Sequence, residues 1–114
     1  MYARADSFDN KPPFDLAPRV QQARARVDSR MPLNFVATVD ITGGNSGSPV
    51  VNQRGEWVGL IFDGNLDSLG GRYAYTDTQA RAVAVDARAI LHALERIYGA
   101  GKLAQELRGQ PARP

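Results

Sequence analysis

A loop of small residues, Gly43 to Val50, lies between stretches that have the composition of β-strands. Before it, Leu33 to Ile41 is rich in β-branched and aromatic residues, which predicts a strand. After it, Pro49 to Val51 and Trp57 to Phe62 predict two more strands, joined by a tight turn at residues 52–55. The pattern indicates a mainly β region built around this loop.

The loop has the chemistry of a serine nucleophile. A serine hydroxyl attacks a carbonyl only when a base takes its proton, and the resulting oxyanion needs preorganised N–H donors. In the chymotrypsin-type arrangement these donors are the amides of the nucleophile and of the residue two positions earlier, here Ser46 and Gly44. The alternative is an ordinary turn of Gly, Ser and Asn. The length of the motif and its place between two predicted strands favour the nucleophile.

Composition excludes several other classes of protein. The 114 residues fit one small domain or part of a larger one, and an apolar fraction of 43% supports a folded core. A net charge of +2 is too balanced to indicate a nucleic-acid partner. Without cysteine, neither disulfides nor thiolate metal sites form. We predict no metal, no cofactor, no membrane span and no signal peptide in these residues.

Three regions are predicted along the chain. Residues 1–30 are polar and rich in proline, which indicates an extended or linker arm with weak potential for a short helix at 19–28. Residues 31–86 form the β region that carries the loop, with a further short strand at 83–85. Residues 87–109 form C-terminal helices.

The first C-terminal helix has clear end signals. Asp86 is a plausible N-cap for a helix over residues 87–98, and Gly99 suits a left-handed residue that ends it. A second short helix is predicted at 102–107. His92, the single histidine of the chain, lies on the first of these helices.

His92 has two interpretations, catalytic base or residue of a helix surface or groove. A base must reach the serine oxygen at hydrogen-bond distance. In double-barrel serine peptidases the chain order is histidine, aspartate, serine, whereas His92 follows Ser46. The order favours the groove residue.

The sequence around Ser46 closely resembles the C-terminal segment of the bacterial dipeptidyl-peptidase 7 and 11 family of serine exopeptidases. The resemblance rests on Asn34-Phe35, on Asp40 to Val50 and on Gly59 to Asn65. The segments Val83 to Arg88 and Tyr98 to Gly101 resemble the closing strand and helix of that family. It covers the chain from about Phe14 to Leu107.

The resemblance implies a mainly β fold with a C-terminal α-helix. The chain would be part of a chymotrypsin-like double β-barrel, namely the second barrel plus the closing helices. Family members are several times longer, carry an inserted helical domain, and release dipeptides from the free N-terminus of oligopeptides in the periplasm or at the cell surface. A homodimer is one open arrangement for such a parent protein.

The resemblance also implies roles for individual residues. Ser46 would be the nucleophile, with the Gly44 and Ser46 amides as the oxyanion hole. Asp63, as a partly buried carboxylate, would face the α-ammonium group of the substrate. Gly64 would line the pocket for the residue before the cut, where a glycine leaves volume and no charge and so favours apolar side chains. Without the family, a simple turn is the favoured interpretation of residues 63–65.

The histidine and aspartate of the family's triad lie far upstream and have no match here. Asp40 is expected to shape the loop rather than to replace the triad carboxylate. We therefore expect the last part of a peptidase, whose partners are an oligopeptide substrate and a missing N-terminal part. The chain alone would be inactive. Alternatives are a glutamyl-endopeptidase-like serine protease and a non-catalytic peptide-binding β module.

Overall fold

The computed structural model describes residues 1–74 and 76–109. It divides into two compact units. One comprises Met1–Ser29 together with the chain from Leu91 onward, and the other is Arg30–Ile90. No helix among the described residues has the length and apolarity needed to cross a membrane.

The Arg30–Ile90 unit is built on one antiparallel sheet. Its strands are β1 (Asn34–Ala37), β2 (Pro49–Val51), β3 (Trp57–Gly64) and β4 (Ala82–Asp86), in the spatial order β1-β4-β3-β2. A 3-10 helix, Leu66–Arg72, follows β3. The predicted bounds of β2 are confirmed. The predicted strand at 33–41 is shorter in the structure, because β4 begins at Ala82 and offers β1 no partner beyond Ala37.

The hairpin turn between β2 and β3 forms as its sequence predicts. The side-chain oxygen of Asn52 accepts hydrogen bonds from the Arg54 and Glu56 amides at 2.9 and 3.1 Å. Gly55 has φ +77°, a left-handed conformation that favours glycine. The turn therefore sets the start of β3 at Trp57.

The core of this unit lies on one face of the sheet. Ala82 and Ala84 alternate with half-buried valines along β4, and both are buried with Val50 and Ile61. Phe35 packs against this cluster. None of the large side chains in the described residues is fully buried, so the core is thin.

Asp86 joins β4 to the first C-terminal helix. That helix, Ala87–Arg96, begins where the Arg88 amide donates to Asp86 Oδ1 at 2.8 Å, as the N-cap prediction requires. It is followed by Gly99 at φ +67°, with the Ala100 amide bonded to the Leu94 carbonyl at 2.7 Å. A second helix, Gly101–Leu107, follows.

In the other unit, Tyr2–Ser7 is helical, where an extended arm was predicted. The helix Pro18–Gln22 and the 3-10 turn Arg24–Arg26 fall in the region where a short helix was predicted. The Tyr2 hydroxyl donates to the Val20 carbonyl at 2.7 Å, and Arg24 forms a two-bond ion pair with Asp6. These partners lie 18 residues apart, so the sequence near residues 2–7 does not reveal them.

A substitution at Gly59 can test how closely β3 packs against β1 and β4. A Cβ at this position would overlap the Val85 carbonyl and lie 2.7 Å from a ring carbon of Phe35. We expect Gly59→Ala to lower the free energy of unfolding by about 1–3 kcal/mol. The measurement is urea unfolding followed by the fluorescence of Trp57, the single tryptophan. Gly43→Ala is the control, because its added Cβ meets nothing within 4 Å. If Gly43→Ala lowered the free energy of unfolding as much as Gly59→Ala, the close packing at Gly59 would be contradicted.

Asp86 gives the stability a pH dependence. It is 5% exposed, and its hydrogen bonds with the Arg88 guanidinium lower the pKa of its carboxyl. The stabilisation is therefore fully present above the pKa of an unfolded aspartate, about 3.9, and is lost as the pH falls through the lower folded value.

We expect the free energy of unfolding of the wild type to fall more steeply below about pH 4 than that of Asp86→Asn. Denaturant unfolding at a series of pH values measures both slopes. Asp40→Asn removes the same charge at an exposed site and should keep the wild-type slope. Equal slopes in Asp86→Asn and the wild type would show that this pair does not contribute.

Candidate functional site

The loop before β2 consists of two consecutive turns. The Asn45 amide donates to the Thr42 carbonyl at 3.1 Å, and the Ser48 amide donates to the Asn45 carbonyl at 2.9 Å. The third residue of each turn is a glycine with positive φ, Gly44 at +104° and Gly47 at +85°. A side chain at either glycine would strain the backbone, which explains their places in the motif.

Asn45 is the residue that holds the two turns together. Its side-chain oxygen accepts a hydrogen bond from the Thr42 amide at 2.7 Å, and its own amide and carbonyl belong to one turn each. Asp40, which we expected to shape the loop, is exposed and has no hydrogen bond or ion pair within residues 1–74 and 76–109. The loop is thus shaped by an amide side chain inside the motif.

Backbone hydrogen bonds attach the loop to β3. The Gly47 amide donates to the Ile61 carbonyl at 2.7 Å, and the Ile61 amide donates to the Ser48 carbonyl at 3.0 Å. Ser46 comes directly before this attachment and is exposed. In the described part of the chain its hydroxyl has no hydrogen-bond partner, so it is open to an external group.

Two amides near Ser46 also lack acceptors. Within the described residues, the N–H groups of Gly44 and Ser46 donate to no carbonyl or side chain. Free main-chain donors beside an exposed hydroxyl are the groups that an oxyanion requires.

Ser46 opens onto a cavity of about 210 Å³. Its walls are apolar residues from the chain before the loop and from β3, together with polar groups at the loop and at the end of β3. The carboxylate of Asp63 is the one charged group among the lining residues that the structure describes. The lining residues are Ile41, Thr42, Gly43, Asn45, Ser46, Ile61, Phe62, Asp63, Gly64, Ser68 and Leu69.

Asp63 and Gly64 both line this cavity, but their surroundings differ from expectation. Asp63 is exposed rather than partly buried, and its Oδ1 accepts the Gly64 amide at 2.8 Å. The space beside Gly64 is not empty: a Cβ there would overlap the Ser68 hydroxyl and lie 3.3 Å from Ile41 Cδ1. A glycine at this position is therefore required by the close packing of Ser68 and Ile41.

Asn65 holds the lining residue Ser68 in place, whereas its sequence context predicts only a turn. Its side-chain oxygen accepts the Ser68 and Arg81 amides at 3.2 and 2.9 Å, and its amide group donates to Asp67 and to the Gln79 carbonyl. It is the N-cap of the 3-10 helix, a position where asparagine is favoured. The signal available in the sequence was the asparagine itself, because asparagine is one of the residues favoured at the N-cap of a helix.

His92 is engaged within its own unit. Its Nε2 accepts the Asp28 amide at 3.1 Å, and the residue is half-buried. That nitrogen is therefore occupied by a backbone donor. This environment fits the interpretation of His92 as a residue of a helix surface or groove, which the order of histidine and serine in the chain also favours.

Sequence comparison identifies relatives over most of the chain. Residues 1–109 match the Peptidase S46 family. The chain is 43% identical over 86 residues to an Asp/Glu-specific dipeptidyl-peptidase of Porphyromonas endodontalis, covering 75% of this chain and 12% of that protein. It is 46% identical over 77 residues to a dipeptidyl-peptidase 7 of Phocaeicola vulgatus, covering 68% of this chain and 11% of that protein.

The structure is similar to solved structures of DPP11 from Porphyromonas endodontalis. The complex with substrate matches with a TM-score of 0.75 at 32% identity, over 90% of this chain and 17% of the other. The complex with the dipeptide Arg-Glu matches with a TM-score of 0.73 at 34% identity, over 85% and 15%. The chain thus spans about an eighth of the length of its curated relatives, and it belongs to the peptidase S46 family.

Proposed function

We propose that this chain is the nucleophile-bearing segment of a serine dipeptidyl-peptidase, an enzyme that releases dipeptides from the free N-terminus of oligopeptides. The observation that carries the proposal is the exposed Ser46 hydroxyl beside two main-chain amides without acceptors in the described residues. Two S46 relatives with 43% and 46% identity bear dipeptidyl-peptidase names, which supports the exopeptidase class.

The reaction follows from these groups. Ser46 Oγ attacks the carbonyl carbon of the scissile peptide bond while a base takes its proton. The Gly44 and Ser46 amides donate to the oxyanion that forms. The C–N bond then breaks, the amine leaves with the proton, and water hydrolyses the ester on Ser46.

We propose that the base comes from outside these 114 residues. The single histidine has one ring nitrogen occupied by the Asp28 amide. We propose that a longer polypeptide supplies the histidine and its orienting carboxylate, and that the four-stranded sheet is part of the second barrel of a chymotrypsin-like fold. Large apolar side chains that stay exposed on this unit support a further covering segment, since soluble monomers rarely expose extended apolar surface. They include Leu33, Val36, Val39 and Val51.

The cavity beside Ser46 favours an uncharged residue before the cut. Its described lining contains no lysine or arginine, and its one charged group is the Asp63 carboxylate. An acidic side chain would meet this negative charge without a cationic partner, which disfavours its binding. Ile41, Ile61 and Leu69 instead provide apolar walls.

Asp63 is proposed to bind the α-ammonium group of the substrate. One of its oxygens is occupied by the Gly64 amide at 2.8 Å, which orients the carboxylate at the cavity. A charge-assisted hydrogen bond to a cation that only a free N-terminus supplies would select exopeptidase substrates.

Replacing the nucleophile tests the proposal directly. In the longer polypeptide we expect Ser46→Ala to lower kcat by on the order of a million-fold, because no other group can form the acyl-enzyme. The measurement is dipeptide release from an oligopeptide with a free N-terminus. Ser48→Ala is the matched control, since the Ser48 contacts that attach the loop are made by its backbone. Retained dipeptide release in Ser46→Ala would refute the assigned nucleophile.

The Asp63 proposal has a test of its own. We expect Asp63→Asn to lower kcat/KM by about 10- to 100-fold on peptides with a free N-terminus, mainly through KM. The wild type should cleave the N-acetylated forms poorly, and Asp63→Asn should change that rate little. Asp77→Asn removes a charge from an exposed aspartate outside the cavity lining. Efficient cleavage of acetylated peptides by the wild type would instead indicate an endopeptidase.

A further inference from the structure

Ser68 lines two cavities. The larger one, about 210 Å³, is also lined by Ser46 and Gly64. The smaller one has a volume of about 10 Å³. Ser68 and Ile41 are the two described residues that line both cavities. These two side chains are therefore the partition, the wall that the two cavities share.

The Ser68 side chain is held in this place by Asn65. Its hydroxyl donates to the Asn65 carbonyl at 2.6 Å, and its amide donates to the same carbonyl at 3.0 Å and to the Asn65 side-chain oxygen at 3.2 Å. Asn65 is itself tied to the chain before β4, through the Arg81 amide at 2.9 Å. Rotation of the hydroxyl toward another position would break its bond to the Asn65 carbonyl.

Gly64 and Ser68 compete for one space. A Cβ on Gly64 would overlap the Ser68 hydroxyl, and it would also lie 3.3 Å from Ser68 Cβ and from Ile41 Cδ1. Moving the hydroxyl alone would leave both carbon contacts tighter than ordinary van der Waals distance. The wall at residue 64 therefore depends on the side chain at residue 68.

We propose that Ser68 is a specificity-determining residue that limits the depth of the pocket for the residue before the cut, with Asn65 as its positioning residue. This inference rests on the proposed function and deepens it. The pocket takes an uncharged apolar side chain of limited length, because the Ser68 side chain closes its far end. One methylene more or less in an apolar pocket changes kcat/KM by about 10- to 200-fold, so a partition of this size suffices for selection.

The experiment compares substrates that differ only in the residue before the cut, with alanine, leucine or phenylalanine there. In the longer polypeptide, Ser68→Gly joins the two cavities, and we expect the kcat/KM ratio of phenylalanine to leucine to rise by about 10-fold or more. Ser68→Ala, which keeps the Cβ, should shift the ratio in the same direction but less. Gly70→Ala is the control on the same 3-10 helix, because its Cβ meets nothing within 4 Å.

A double substitution tests the shared space. Gly64→Ala alone should lower kcat/KM for all three substrates, and adding Ser68→Gly should restore most of the loss. Variants of Ser68 that change all substrates by one common factor, or that leave the ratio unchanged, would overturn the inference and assign Ser68 a structural role only. Additive effects of the two substitutions would overturn the shared space.

Failure of the proposed function can be distinguished from failure of the inference about Ser68. If the wild type releases no dipeptide from any of the three peptides, the proposed function is overturned. The partition is then decided by a crystal structure of Ser68→Gly or Ser68→Ala. A continuous cavity would support the partition, and two separate cavities in the glycine variant would refute it.

Discussion

The two backbone hydrogen bonds at Ile61 are the constraint on which the site depends. They attach the loop at Gly47 and Ser48 to the middle of β3. Because β3 also pairs with β2 and β4, these main-chain groups hold the C-terminal end of the loop to the sheet. The position of Ser46 is therefore set by the register of β3. A slip of one residue would move the loop and exchange the two faces of the strand at once.

A bulge in β3 then brings Asp63 and Gly64 to the cavity. Ile61 pairs with Ala84 and Asp63 with Val83, so Phe62 is the extra residue. Beyond the bulge, Gly64 pairs with Ala82 and lies on the same face as Ile61. In a regular strand, Gly64 would lie on the opposite face, because successive residues alternate.

The parts of the fold that depend on local chemistry were predictable from the sequence. The hairpin turn at residues 52–55, the bounds of β2 and the cap at Asp86 each rely on neighbours within a few residues. The loop glycines belong to the same class, since positive φ is a local requirement. The helix at Tyr2–Ser7 was missed because its partners are 18 residues away.

The candidate site divides along the same line. The nucleophile loop could be recognised because a contiguous motif builds it. The bulge at Phe62 could not be predicted from the sequence, because it is a property of the pairing of β3 with β4 and not of either strand alone. The roles of Asn65 and Ser68 could not be predicted for a related reason. The hydrogen bonds that fix Asn65, which in turn holds Ser68, reach Gln79 and Arg81, 14 and 16 residues away.

The loop and the pocket beside it are built from different kinds of chemical groups. The groups suited to hold an oxyanion are main-chain amides, and their positions follow from turns and strand register rather than from side-chain identity. The groups that shape the pocket are side chains at the end of β3 and in the 3-10 helix, and they meet in one small space beside Gly64. Different hydrogen bonds hold the two parts in place. The loop is held by the bonds of Gly47 and Ser48 with Ile61, and Ser68 is held by its bonds with Asn65. Under the proposed function, a substitution at Ser68 therefore changes the pocket while the main-chain bonds of the loop are retained.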